Sequence, residues 1–406
     1  MMNMTTFKRP TILSLEQALS MSYATLRFVH QGWRVIRIES TPVSGRASKG
    51  DPNRFIGRPI AGEDRHSYYI APNVGKEAIA LNLKTIEGQA LLHQLILELD
   101  VDIFCTNTMP ARHQALGIDA HTLQEIKPDL IWCCISAMGC AYPEVPGYDP
   151  VIQALCGYMD LTGPGDGPPM QCGPPIIDLK AGDEAFTQVA LGLLERQQGK
   201  TGAVIDISMA QIAASWLHTF LPMLDMDSPP QELKRSGNEH RQFIPVNAYP
   251  TVDGYIYLAI GSDAQWQRLV RAAMFASLDQ PHLASNEGRR AHKHALHDAI
   301  GKITSAYSSA RIAEVLADAA IPNAPITPIE GVMELPFIAE QLLHTNAPDG
   351  RIIRLPPPAV ATPYLKEQRG QLSFAPSYAE HTEAVLQEAG IKPAAIDELR
   401  TNGVIS

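Results

Sequence analysis

One carboxylate stands in the run Pro174-Pro175-Ile176-Ile177-Asp178-Leu179-Lys180-Ala181-Gly182, where an apolar segment gives way to the helical stretch 183–198. N–H groups at a helix start carry partial positive charge, so Asp178 is expected to stay ionised at neutral pH and to attack an electrophile. The same position suits an N-cap, and residue type alone leaves both roles open.

Other reactive side chains read more plainly. His292, His294 and His297 resemble a metal cluster, but Arg289, Arg290 and Lys293 surround them. They read as a solvated helix surface, and no metal is expected. Glu239-His240 lies in the polar turn Ser236-Gly237-Asn238-Glu239-His240, and Tyr148-Asp149 opens a helix with Asp149 as its cap. The glycines of segment 162–169 match neither a dinucleotide fingerprint nor a P-loop, and no G-x-S-x-G elbow is present.

Bulk properties narrow the setting. A net charge of −10 disfavours general nucleic-acid binding. Between Arg27 and Arg65, eight basic residues (Arg27, Arg34, Arg37, Arg46, Lys49, Arg54, Arg58, Arg65) face four acids. That excess suits a phosphorylated ligand or an ordinary solvated face. Apolar runs break before the ~18 residues of a membrane span, and segment 1–10 lacks an export signal. The six cysteines form no C-x-x-C pair, which suits a reducing cytoplasm.

The elements that must position these residues alternate. Segments 14–31, 85–99 and 119–126 read as helices; 33–38, 101–105, 130–135 and 203–207 read as strands, with 40–64 a long loop. That is an α/β pattern with a parallel sheet. Segments 150–161, 181–198 and 209–224 read as further helices. Composition changes near 227–232, leaving a large domain over 1–230 and a smaller α+β domain over 237–329. Segment 330–406 reads as a linker and a tail, helical over 378–399, that returns to the large domain.

Several pieces in order resemble the family III CoA-transferases, the CaiB/BaiF family. They include Gly32-x-x-Val35-Ile36-x-Ile38-Glu39, Asn73-x-x-Lys76, Gly117-Ile118-Asp119, Gly147-Tyr148-Asp149, Asp178-Leu179-x-Ala181-Gly182, Gly237-Asn238-Glu239-His240 and Pro250-Thr251-x-Asp253-Gly254-Tyr255. The resemblance implies a Rossmann-like large domain, a smaller domain and a dimer of two interlocked chains. It makes Asp178 the nucleophile of a CoA exchange between an acyl-CoA donor, with succinyl-CoA as the guess, and an acid acceptor. Coenzyme A enters as acyl-CoA.

By the same resemblance, CoA contacts fall on Arg37, Asn73, Lys76, Asn107 and Arg112, with Lys76 meeting a phosphate. The site lining falls on Ser20, Tyr148, Asp149, Gly237, Asn238 and Glu239. Two departures stand out: Ser20-Met21-Ser22 replaces the family's Ala-Gly-Pro, and Ala115 replaces an arginine, with Arg112 one turn earlier. The CoA pocket is therefore expected to be rebuilt or completed by another subunit. The same fold hosts 2-methylacyl-CoA racemases, but Tyr148 stands where those carry histidine, and tyrosine is a poor base at pH 7. A further alternative is the active half of a heteromeric, benzylsuccinate-type aromatic-acid transferase. Small-molecule partners are expected, with neither nucleic acid nor membrane.

Overall fold

The computed structural model describes residues 8–42 and 49–406. Arg46, counted in the basic stretch above, lies outside them. The described chain divides into two compact units. The first runs to Cys156 and resumes over Gly173–His218 and Pro336–Ser406; the second comprises Gly157–Cys172 and Thr219–Leu335.

The first unit is built on six parallel strands: β1 (Thr11–Leu15), β2 (Arg34–Glu39), β3 (Glu77–Ala80), β4 (Ile103–Thr106), β5 (Ile131–Ser136) and β6 (Val204–Ser208). Their spatial order is β3-β2-β1-β4-β5-β6. The order reverses at β1, so a crevice opens at the carboxyl ends of β1 and β4, the place where doubly wound sheets bind ligands. Sequence reading expected helix from Ser14. Instead β1 occupies Thr11–Leu15, and α1 (Ser20–His30) starts only after a turn in which Ala18 takes φ +57°. A five-residue central strand, buried on both faces, has no alternation to reveal it.

Leu91, Leu92, Leu95 and Ile96 of α3 (Ile86–Glu98) pack with Ile36, Ile38 and Phe104 of the sheet. The tail completes this core. Val385 and Leu386 of α11 (Thr382–Glu388), Ile396 of α12 (Pro393–Thr401), and Val404 and Ile405 are buried in it, and Ile405 forms a bridge with Leu81. In the second unit β7 (Val246–Thr251), β8 (Gly254–Ala259) and β9 (Asn323–Pro325) form an antiparallel sheet under α8 (Asp263–Arg271), α9 (Lys293–Thr304) and α10 (Ser309–Asp318). Trp266, fully buried, centres that core.

Behind the crevice lies an internal ion network. Lys76 Nζ donates to Glu16 Oε1 at 2.7 Å, the Ser22 carbonyl at 2.8 Å and Asn73 Oδ1 at 3.2 Å. Glu16 Oε2 accepts from the Ser14 and Thr25 hydroxyls, each at 2.7 Å. Arg37 binds Asn73 and, at 2.8 Å, Asp51; Arg54 binds Glu39 and, at 2.6 Å, the Tyr69 hydroxyl. Burial opposes charge on Glu16, yet Lys76 and Arg37 hold its carboxyl below the usual range. Burial brings Lys76 down to about 8 against the pull of Glu16. Removing one partner of such a pair strands a buried charge, at about 3–5 kcal/mol. Lys76→Met should therefore lower the urea unfolding free energy by about 3–5 kcal/mol.

Candidate active site

Asp178 belongs to α6 (Ile176–Gln197), a 22-residue helix introduced by Pro174-Pro175. The helix begins earlier than the expected Ala181, so Asp178 sits within its first turn and is not its N-cap. Pro175 occupies the cap position and makes no side-chain cap bond. The cap comes from elsewhere in sequence. Asp149 Oδ2 accepts the N–H of Ile177 at 2.6 Å and that of Asp178 at 3.1 Å, while Oδ1 accepts from Gln153 Nε2 at 2.6 Å. Asp149 opens α5 (Asp149–Leu155), but its carboxylate serves α6. The residue that read as a cap is one, for a helix nearly thirty residues downstream.

This arrangement reverses the expected electrostatics of Asp178. The positive end of α6 already faces an anion, Asp149, which is 3% exposed. Burial and the Asp149 charge together push Asp178 up to about 7 from an ordinary 3.8. The carboxyl is thus poised between its protonated and ionised forms near neutrality, not firmly ionised.

Gly182, one turn beyond Asp178, sets the distance to α1. A Cβ there would stand 2.8 Å from the Ser20 carbonyl oxygen and 3.0 Å from the Ala24 nitrogen. Ser20 is in turn held by Asn107, whose Nδ2 donates to the Ser20 hydroxyl at 3.3 Å and the Gln17 carbonyl at 2.8 Å. Asn107 Oδ1 accepts the Gln17 N–H at 3.0 Å, clamping the turn between β1 and α1. The expected CoA contact Asn107 and the expected lining residue Ser20 are therefore joined, through α1, to the helix that carries Asp178.

The crevice at the strand ends is a cleft of about 530 Å³. Its walls include Leu15, Gln17, Thr41, Asn82, Lys84 and Arg112. Arg112 is exposed at this rim. Three other expected CoA contacts are not available there. Arg37 and Asn73 are fully buried and Lys76 nearly so, and the Lys76 ammonium spends its donors inside the network. The acids that pair with Arg37, Arg54 and Lys76, namely Asp51, Glu39 and Glu16, themselves line the cleft. Much of the basic excess seen in the sequence is neutralised in the same way: Arg34 pairs with Glu77 at 2.7 Å and Glu388 at 2.6 Å.

Tyr148 is 73% exposed, so it presents its ring to solvent in this chain. Gly237, Asn238 and Glu239 belong to the second unit. There Glu239 binds Lys293 Nζ at 2.7 Å and lies 3.3 Å from His297 Nε2, and His297 Nδ1 meets the Tyr249 hydroxyl at 2.6 Å. His297 is a network member, while His294 is exposed and His292 packs against His282. Among the described residues, the His/Cys group that does converge, with ligand atoms within 4.8 Å, is His113, Cys134 and Cys140. Their separation in sequence gave no sign of it.

With this geometry in view, likeness to known proteins becomes informative. The family model for CoA-transferase family III matches residues 10–382. A succinate–glutarate CoA-transferase from Agrobacterium fabrum is 29% identical, over 93% of this chain and 94% of its own. The human succinyl-CoA:glutarate CoA-transferase is 28% identical, over 97% and 88%. A CaiB/BaiF family crystal structure from Brucella suis superposes with a TM-score of 0.80 at 26% identity, covering 94% of this chain and 98% of its own. The chain belongs to CoA-transferase family III and is an enzyme of that class, acting on CoA thioesters.

Two outcomes follow from the Asp149–Asp178 pair. The ionised fraction of Asp178 grows through about pH 7, so kcat/KM should rise along an acid limb there, and Asp149→Asn should move that limb to lower pH. Stability runs the other way. A carboxyl raised on folding stabilises the fold fully below its unfolded value, and that contribution is lost as pH rises through the folded value near 7. Asp178→Asn should therefore unfold about 1–3 kcal/mol less readily than the native chain at roughly pH 8, the gap closing at roughly pH 4.

Proposed function

We propose that this chain moves CoA from an acyl-CoA donor, succinyl-CoA or a close analogue, to a dicarboxylic acid through covalent intermediates on Asp178. The observation that carries this reading is the half-buried Asp178 carboxyl, held in the first turn of α6 and poised near neutral pH. Relatives named for glutarate and mesaconate transfer support the substrate class.

In the proposed sequence, ionised Asp178 attacks the donor thioester carbonyl and CoA leaves as thiolate, giving a mixed anhydride. The thiolate attacks the aspartyl carbonyl, the donor acid departs as carboxylate, and Asp178 holds CoA as a thioester. The acceptor carboxylate attacks that thioester, and the thiolate released then attacks the acceptor carbonyl of the new anhydride. Asp178 is regenerated and a new acyl-CoA leaves. No net proton is consumed, so the protein's work is positioning, stabilising oxyanions and excluding water.

The strand-end cleft takes CoA in this reading, with Arg112 and Lys84 at its rim meeting phosphate oxygens. Tyr148 and Ser20 border the acyl group in this reading. The working form is an interlocked dimer of this chain or its pairing with a related subunit, in the cytoplasm. Exposed Val151, Leu155, Leu191, Leu194 and Trp216 support an assembly, since side chains of that size favour burial. No described helix is long and apolar enough to cross a membrane.

The decisive experiment mixes the protein with succinyl-CoA and hydroxylamine and searches by mass spectrometry for a modified Asp178 peptide, repeating with other thioesters if the first is silent. Asp178→Asn, verified free of deamidation, should lose exchange by about a thousandfold or more. Exchange at the native rate by that variant would remove Asp178 from the mechanism. Solvent deuterium entering the α-position of a 2-methylacyl-CoA without any acceptor acid would instead favour racemase chemistry.

A further inference from the structure

His113, Cys134 and Cys140 come from three stretches of the first unit. Cys134 lies on β5, fully buried, where its neighbours across the sheet are Thr106 of β4 and Asp206 of β6. Cys140 is half-buried in the turn that follows β5. Gly139, at φ +84°, swings the chain there, and the Cys140 N–H donates to Asp206 Oδ2 at 2.8 Å. His113 follows β4 and packs edge-on against the Trp132 ring, with centroids 5.5 Å apart.

The imidazole is held in one tautomer. The Thr108 carbonyl lies 2.8 Å from His113 Nε2 and can only accept. Nε2 therefore carries the hydrogen, and Nδ1 keeps a lone pair with no hydrogen-bond partner among the described residues. Ligating histidines are oriented this way, one nitrogen donating to a backbone carbonyl while the other faces the metal. The second cysteine pair differs: Cys105 and Cys133 stand opposite each other on β4 and β5, but among the described residues no third ligand gathers on them. The sequence expectation of no metal rested on His292, His294 and His297, a separate group in the other unit.

The two sulfurs and a ring nitrogen lie within 4.8 Å of one another. Zinc bonds to sulfur and nitrogen, about 2.3 and 2.0 Å long, set tetrahedral ligand atoms about 3.5–3.8 Å apart. Closing on an ion thus asks for a shift of about 1.3 Å at most, with one ligand on a half-buried turn. We propose that His113, Cys134 and Cys140 bind one Zn²⁺, with water in the fourth position. Two sulfurs and an imidazole favour such an ion over Mg²⁺ or Ca²⁺, which take oxygen ligands. On binding, two S–H bonds give way to two Zn–S bonds and two protons pass to solvent. The two thiolates cancel the dication, so no net charge is buried. The ion ties the segment after β4 to the turn after β5. Arg112, next to His113, lines the cleft with Thr108 and Leu116, so the ion braces that rim.

Cobalt is the probe, because a Co²⁺–thiolate bond absorbs in the near ultraviolet and tetrahedral Co²⁺ absorbs strongly in the visible. The native chain, stripped by a chelator and kept reduced, should take up one equivalent of Co²⁺ with both signals, and Zn²⁺ should displace it. Cys140→Ser and His113→Gln, with folding checked by circular dichroism, should each weaken binding by about a hundredfold or more, since even outer partners of a metal ligand are worth ten- to a hundredfold. Cys156→Ser should bind as the native chain does. Zn²⁺ should raise the urea midpoint of the native chain and leave that of Cys140→Ser in place. In the native chain itself Zn²⁺ should slow alkylation of Cys140 by about tenfold or more, with Cys156 unchanged, a readout that needs no variant. A native chain without the thiolate band at one equivalent, a band that survives in Cys140→Ser, or Cys140 alkylation indifferent to Zn²⁺ would each overturn the assignment. So would a Cys134–Cys140 disulfide forming under mild oxidant in a chain that takes up no metal, which recasts the pair as a redox couple.

Discussion

The site depends on one carboxylate accepting two backbone N–H groups. Asp149 Oδ2 meets Ile177 and Asp178 at the first turn of α6, tying two segments far apart in the chain into one rigid corner. A helix start needs its free N–H groups satisfied, and Pro174-Pro175 offers none of the usual side-chain acceptors. Asp149 meets that need and in doing so places a negative charge beside the proposed nucleophile. Helix integrity and the acidity of Asp178 are therefore a single interaction. A neutral cap would have left Asp178 more acidic and, as an anion, a weaker nucleophile.

A second constraint is the neutrality of the ground behind the cleft. Arg37, Arg54, Arg65 and Lys76 are matched by Glu16, Glu39, Asp51 and Asp64, and the pairs are satisfied by Ser14, Thr25, Asn73 and Tyr69. Such a network adds little net stability over a hydrophobic equivalent but punishes any single loss. It fastens the ends of β1 and β2 to α2 (Ser67–Asn73) and leaves the cleft wall without surplus positive charge. Among the described residues, Lys84 and Arg112 are the cations of the crevice that no carboxylate pairs, and they come from the segments after β3 and β4, on its rim.

What could be read from residue order follows physical lines. The parallel strands at Ile103–Thr106 and Ile131–Ser136 showed as short apolar runs because they are buried along their whole length. Asp178 stood out as a candidate nucleophile only through its place in an ordered set of family pieces, since an aspartate near a helix start is by itself ambiguous. The α6 boundary did not show, because Pro-Pro-Ile-Ile carries no helical period. Nor did the inward turn of Lys76, Arg37 and Asn73: their types suit a phosphate, and burial is decided by contacts with Glu16 and Asp51 from other segments.

The close approach at Gly182 carries its own consequence. Even a methyl group there meets the Tyr23 ring and the backbone of α1, and two of the crowded atoms, the Ser20 carbonyl oxygen and the Ala24 nitrogen, are not the yielding tips of side chains. Any bulk at this crossing must be absorbed by sliding one helix along the other. Because Ser20 is laced through Asn107 to Gln17 at the cleft, such a slide would travel to the mouth of the crevice. The two helices work as a strut of set length, with the Asp178 carboxyl at one end and the mouth of the strand-end cleft at the other.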